Sequence, residues 1–218
     1  NHRLSFENFP VTGIVLNSSA QNLYTDSAAA ATTWAAGVKT KNGFLSVDPE
    51  NKFLPTIPEL LSTKGYLTGL VATSSITHAT PAAFYAHIKS RSKEKKIAQM
   101  LVESDIAIAL GGGSKFFKLP LSDKQIHLID NGNSLDQDNL TKHSRVLGLF
   151  AEGGFDRRLA PPTQLKMTEK ALDFLDKKAS NCSGFFLMSE GSQIDWAGHD
   201  NNVKYMLSEF RDFDASVA

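Results

Sequence analysis

Cysteine is almost absent. The 218-residue chain holds one, Cys182, so no disulfide can close within it and no cysteine-built zinc site can form. That leaves the compartment open, because an extracytoplasmic domain can be stable without disulfides. Long apolar runs are missing as well: none approaches the roughly 20 residues of a membrane span. An excess of one charge is the third absence. Lys and Arg number 23, Asp and Glu also 23, so no overall field favours nucleic acid or an anionic membrane surface. Any attraction for an anion must be local, from bound metal or single arginines. There is no internal repeat, and no G-x-S-x-G elbow of the α/β-hydrolase kind. Gly111-Gly112-Gly113-Ser114 lacks the Lys-Ser/Thr ending of a phosphate loop and reads as a tight strand-to-helix turn.

What is present suffices for a sizeable core, since 41% of the residues are hydrophobic. Short β-leaning runs at Val11–Leu16, Leu67–Ala72, Ile106–Leu110, Arg145–Phe150 and Phe185–Met188 alternate with helical patterns. Those patterns occupy Ser27–Gly37, Ile57–Lys64, Lys93–Glu103, Pro162–Lys178 and Asn202–Val217. Alternation of this kind predicts βαβ units, hence one α/β domain over residues 1–218 with a mostly parallel sheet and helices on both faces. The polar, turn-rich stretch 111–144 reads as an irregular excursion from that sheet. In such folds ligands sit beyond the carboxyl ends of the strands. Ser27, the segment after Ala72, and Glu190 all fall near those ends.

Three segments carry chemistry. Thr25-Asp26-Ser27 runs into Ala28 to Ala31, strong helix formers, which puts a hydroxyl at a helix mouth where free N–H groups favour a phosphate. Read alone, Ser27 or Asp26 could serve only as an N-cap, the commonest task of such residues. Glu190 follows the apolar run 184–188, and Asp195 and His199 are four apart, on one face if the segment is helical. Carboxylates with one imidazole suit Zn²⁺ or Mg²⁺, although an Asp-x-x-x-His pair alone usually means a surface ion pair. Thr77-His78-Ala79-Thr80-Pro81 and then Arg91 supply hydroxyls, an imidazole and a guanidinium able to clamp two phosphoryl oxygens. Without further context Arg91 would be a solvated tail.

Together these segments resemble the alkaline phosphatase family. Thr25-Asp26-Ser27-Ala28-Ala29 fits its nucleophile motif, His78-Ala79-Thr80-Pro81-Ala82 through Arg91 its second block, and Glu190 to His199 its E-G-x-x-I-D-x-x-x-H block. The resemblance implies phosphate monoester hydrolysis through a phosphoserine, with two Zn²⁺ and one Mg²⁺. It makes Ser27 the nucleophile, Arg91 the binder of phosphoryl oxygens, and Asp26 the residue that orients Arg91. Asp195 and His199 would ligate the first zinc, and Glu190 with Thr80 the magnesium. His78 stands where some members carry an Asp near the magnesium, and Trp196 where some carry a Lys near the phosphate, so both belong to the surroundings of the phosphate. Small phosphate monoesters as substrates, a possible homodimer, and a periplasmic or secreted location follow from the same resemblance.

The family also uses an Asp upstream of the nucleophile, then an Asp-His pair and a further His well downstream. Here no Asp precedes Asp26 and no His follows His199. The helical stripe of Val203, Met206, Leu207, Phe210 and Val217 still runs at Ala218. The expectation is therefore an internal fragment, incomplete at both ends and inactive alone. A non-catalytic phosphate- or metal-binding module of the same fold is the alternative. A sulfatase is disfavoured by the lack of a C/S-x-P-x-R motif.

Overall fold

The computed structural model describes residues 3–118, 125–156, 161–179 and 183–218; Cys182 lies outside them. Its centre is β1 (Leu67–Ser75), in which every residue after Leu67 is buried. Apolar and small side chains on both of its faces make it a strand to be covered from two sides. β2 (Ile108–Gly112) pairs with one edge of β1 and β5 (Phe185–Glu190) with the other. β4 (Arg145–Leu149) and β3 (Ile126–Ile129) continue the sheet outward from β2. The order is β3-β4-β2-β1-β5 and every pairing is parallel.

Two apolar clusters sandwich this sheet. On one face Leu70, Ala72, Ala109, Leu147 and Leu149 meet α1 (Ser27–Ala36), the short α3 (Ala79–Ala82) and α4 (Glu94–Glu103), with α2 (Ile57–Ser62) beside β1. On the other, Val71, Ile108, Leu110, Ile129 and Val146 meet Met167, Ala171, Phe174 and Leu175 of α6 (Gln164–Ala179). Spacings of four, three and one residue place those four side chains on one helical stripe. α5 (Gly132–Gln137) buries Leu135 in the same cluster, and α8 (Val203–Val217) packs on α6 and on α7 (Gln193–His199). The expected three-layer α/β architecture is what the chain adopts.

Three expectations need correction. Val11–Leu16 forms no strand: Val11, Ile14, Val15 and Leu16 lie exposed and pair with nothing in the sheet. β-propensity says that a segment suits a ladder, not that an edge is available to it. The stretch 111–144 is no simple excursion, because Ile126–Ile129 is the outermost strand and Gly111 and Gly112 end β2. Four residues with two polar or exposed positions are too few to show a period of two. The strand expected at Ile106–Leu110 begins two residues later. The glycine turn behaves as read: Gly113 has φ 99°, a left-handed conformation, and opens a single 3₁₀ turn at Ser114–Phe116.

Candidate active site

β1 and β5 end side by side, with Ala72 opposite Glu190. Everything expected to carry chemistry gathers around that end of the sheet. Asp26, not Ser27, caps α1: its Oδ1 accepts the Ala29 N–H at 3.0 Å. Its other oxygen, Oδ2, accepts the Gly43 N–H at 3.0 Å and Arg91 Nη1 at 3.1 Å. Capping is thus one of three tasks for this carboxylate. Ser27 is the first residue of α1, at the positive end of the helix dipole. The Asn42–Gly43 turn anchors both partners, since Asn42 Oδ1 accepts the Asp26 N–H at 3.2 Å and the Gly43 carbonyl accepts the Arg91 N–H at 2.9 Å. Arg91 is no solvated tail; its side chain is about one quarter exposed, at 27%.

The second guanidinium nitrogen, Nη2, lies 3.0 Å from His78 Nε2. Arg can only donate, so this ring nitrogen accepts, the proton sits on Nδ1 and the ring is neutral. Burial, and next the Arg91 charge, lower the proton affinity of His78, with Glu94 and Asp195 opposing in part. Among the described residues its Nδ1 is buried without a hydrogen-bond partner, a cost of about 1–3 kcal/mol that a bound group could relieve. Trp196 meets the same ring edge to face, centroids 5.5 Å apart at 75°. The indole is held against the loop at Gly154, where a Cβ would stand 2.4 Å from a ring carbon. Only glycine leaves room there.

Glu190 is the last residue of β5. Its Oε2 accepts the Ser192 hydroxyl at 2.5 Å, and the Ser74 hydroxyl lies 3.0 Å behind Ser192. Burial pushes the Glu190 carboxyl up, while hydrogen bonds from Ser192 and then Thr80 hold it down in part. A cation beside it would draw it back toward the ionised form. Asp195 and His199 share one face of α7, Oδ2 to Nε2 3.5 Å, and both are largely exposed. Gln193 ties that helix to β1: its N–H and Nε2 donate to Oγ1 and the carbonyl of Thr73, at 3.2 and 3.0 Å.

Thr25, Asp26, Ser27, His78, Arg91, Asp195, Trp196 and His199 line one open cleft of about 380 Å³. Glu190 and Thr80 contact each other but are not among its lining residues. The structure therefore brings the three separated segments to one place. It does not assemble a complete metal centre: among the described residues no three His, Cys, Asp or Glu side chains converge on a point that could hold an ion. Sequence reasoning missed Asn42, Gly43, Gly154, Ser74, Ser192 and Gln193. A glycine-containing turn at 42–43 is a visible signal, but nothing in the sequence says which carboxylate it will hold.

A family model described as Alkaline phosphatase matches residues 1–145 and 120–218, and the chain belongs to that family. Alkaline phosphatase 3 of Bacillus subtilis (strain 168) is 43% identical over 208 residues, covering 87% of this chain and 44% of the relative. Alkaline phosphatase of Escherichia coli (strain K12) is 32% identical, covering 88% of this chain and 53% of that one. The chain thus spans about half the length of the curated relatives it matches. Among solved structures, the alkaline phosphatase from the Antarctic bacterium TAB5 superposes with a TM-score of 0.91 at 34% identity, over 99% of this chain and 66% of that one. Two further TAB5 structures carry a histidine mutated to glutamate or to aspartate, each with Mg bound in the M3 site.

Proposed function

We propose that this chain carries the phosphoryl-binding part of a phosphomonoesterase site. The carrying observation is Arg91, held by Asp26 at 3.1 Å, in one cleft with Ser27 at the mouth of α1. Among the described residues Asp26 and His78 occupy two of the five guanidinium N–H groups, which leaves three for phosphoryl oxygens. Small phosphate monoesters suit an open cleft whose recognition elements all address the phosphate. The Ser27 oxygen forms a bond to phosphorus as the alcohol departs; water then hydrolyses the phosphoserine, releasing phosphate and restoring the hydroxyl. Arg91 and the N-terminal N–H groups of α1 stabilise the charge that develops on the phosphoryl oxygens.

The donors fit metals in part. Glu190 and Thr80 offer hard oxygens suited to Mg²⁺, and Asp195 with His199 offers two donors of a zinc site. Metals bound there would favour the ionised Ser27 hydroxyl and the departing alkoxide. Among the described residues a second zinc finds only Ser27, so no step is assigned to it. The same shortage favours a second reading for the 218 residues taken alone, binding of phosphate without turnover.

Phosphate binding is the direct test. Inorganic phosphate titrated against the chain should move the amide resonances of Ser27 and Ala28. Affinity should fall at least about tenfold in Arg91→Ala, as loss of a charged hydrogen-bonding partner predicts, and recover only partly in Arg91→Lys. Unchanged affinity in Arg91→Ala overturns the reading.

His78 carries a separate expectation. Imidazole suits zinc better than a hard octahedral cation, and the TAB5 enzyme with Glu or Asp in place of a histidine holds Mg. His78→Asp should therefore tighten Mg²⁺ binding to the chain, read by calorimetry without substrate. An identical Mg²⁺ isotherm for the two forms would remove His78 from the third-metal site.

A further inference from the structure

Glu94 opens α4, three residues after Arg91. An acid in a first helical turn is favourable through the dipole alone and needs no tertiary partner. This one has two. Its Oε2 accepts the Ser75 hydroxyl at 2.8 Å and the Thr77 hydroxyl at 2.7 Å. Ser75 is the last residue of β1, and Thr77, wholly buried, immediately precedes His78. Hydroxyl bonds to a carboxylate are roughly twice as strong as neutral ones. They close a path from strand end to helix start, and within that path lie His78, Thr80 and Arg91. The turn is closed within itself, where the His78 N–H donates to the Ser75 carbonyl at 2.8 Å, and is pressed from outside at Gly113, where a Cβ would stand 2.8 Å from Ser75 Cβ.

Asp26 fixes only Nη1 of the guanidinium, whereas Nη2 faces the His78 ring. That ring stands on the turn Glu94 holds. We propose that Glu94 is a positioning residue, fixing the Ser75–His78 turn against α4 so that His78 meets Arg91 and the guanidinium turns its free N–H groups to a phosphoryl group. The inference rests on the phosphate-binding reading above, and its test separates the two.

In the free chain, isotope-labelled, Glu94→Ala should shift the His78 ring nitrogens and make the Arg91 side-chain N–H groups exchange at least about fivefold faster, the scale of coupling within one hydrogen-bonded network. Glu94→Gln, which keeps an acceptor, should restore most of both. Thr77→Val, which removes one hydroxyl at nearly constant shape, should give a smaller shift in the same direction and covers the case in which Glu94→Ala does not fold. Inorganic phosphate affinity should fall at least about fivefold in Glu94→Ala but not further in the Arg91→Ala background, because Glu94 acts through Arg91. Additive losses, or unmoved His78 and Arg91 signals in folded Glu94→Ala or Thr77→Val, overturn the proposal. If Arg91→Ala leaves phosphate affinity unchanged, the phosphate reading fails instead, and the ligand-free signals still decide the role of Glu94.

Discussion

Ser27→Ala is expected to remove the covalent phosphoenzyme and lower turnover at least about a thousandfold, the scale on which deleting a nucleophile from a cooperating set acts. The measurement suits a chimera in which this sequence replaces the matching part of the Bacillus subtilis relative, so that the rest of the family's site is supplied. Ser27 is the first residue of α1, at the positive end of the helix dipole, and it lines the same cleft as Arg91. The competing hydroxyl is Thr25, which lines the same cleft but donates to the Asp26 carbonyl at 3.0 Å. Labelled phosphate quenched in acid should be trapped on the unaltered chimera and on Thr25→Val, but not on Ser27→Ala. Metal held by Asp195, His199, Glu190 and Thr80 should be the same in all three, since those residues are untouched. Trapping that survives Ser27→Ala and vanishes in Thr25→Val would move the nucleophile to Thr25.

The parts of the fold legible in the sequence were those whose burial is one-sided or complete over enough residues. α6 shows its stripe at Met167, Ala171, Phe174 and Leu175, and β1 and β4 are apolar runs that a two-faced sheet demands. β3 was illegible because an edge strand of four residues, with Leu128 exposed, carries almost no pattern. Val11–Leu16 misled for the opposite reason: the run is apolar enough to be a strand, but apolarity does not name its partner. α3 is a four-residue turn opened by His78, shorter than any periodicity can reveal.

The site was legible as residue types in motifs, and its assembly was not. Asp26 could be read as a cap or as an orienter of Arg91; the structure uses it as both at once, one oxygen for Ala29 and the other for Gly43 and Arg91. Glu190 was visible at a strand end, whereas the Ser192 hydroxyl that fixes it comes from the turn beyond. The Asp195–His199 spacing gave the shared face correctly. What spacing cannot supply is a third donor, because donors to one ion converge from separate elements.

That missing donor sets the last expectation. The 218-residue chain, purified alone and given zinc and magnesium, should hydrolyse a chromogenic phosphate ester at less than about one hundredth of the rate of the Bacillus subtilis relative. Among the described residues Asp195 and His199 are a pair without a third partner, and Glu190 with Thr80 is likewise two donors. Loss of outer-shell support alone typically costs 10–100-fold in metal affinity, and a missing direct ligand should cost more. Without that metal the Ser27 hydroxyl keeps the weak nucleophilicity of an ordinary alcohol. Arg91 and the α1 N-terminus remain, so phosphate binding should persist while turnover does not. The surface bears on the experiment too: Ile14, Leu16, Leu23 and Tyr24 are strongly exposed, and each edge strand shows an apolar side chain, Leu128 on β3 and Phe185 on β5. Bare edges and apolar stretches favour association, so sedimentation should accompany the assay. Turnover within tenfold of the relative, abolished by Ser27→Ala and confined to an associated species, would mean that a second copy completes the metal site. The same turnover from a monomer would mean that the donor count itself is wrong.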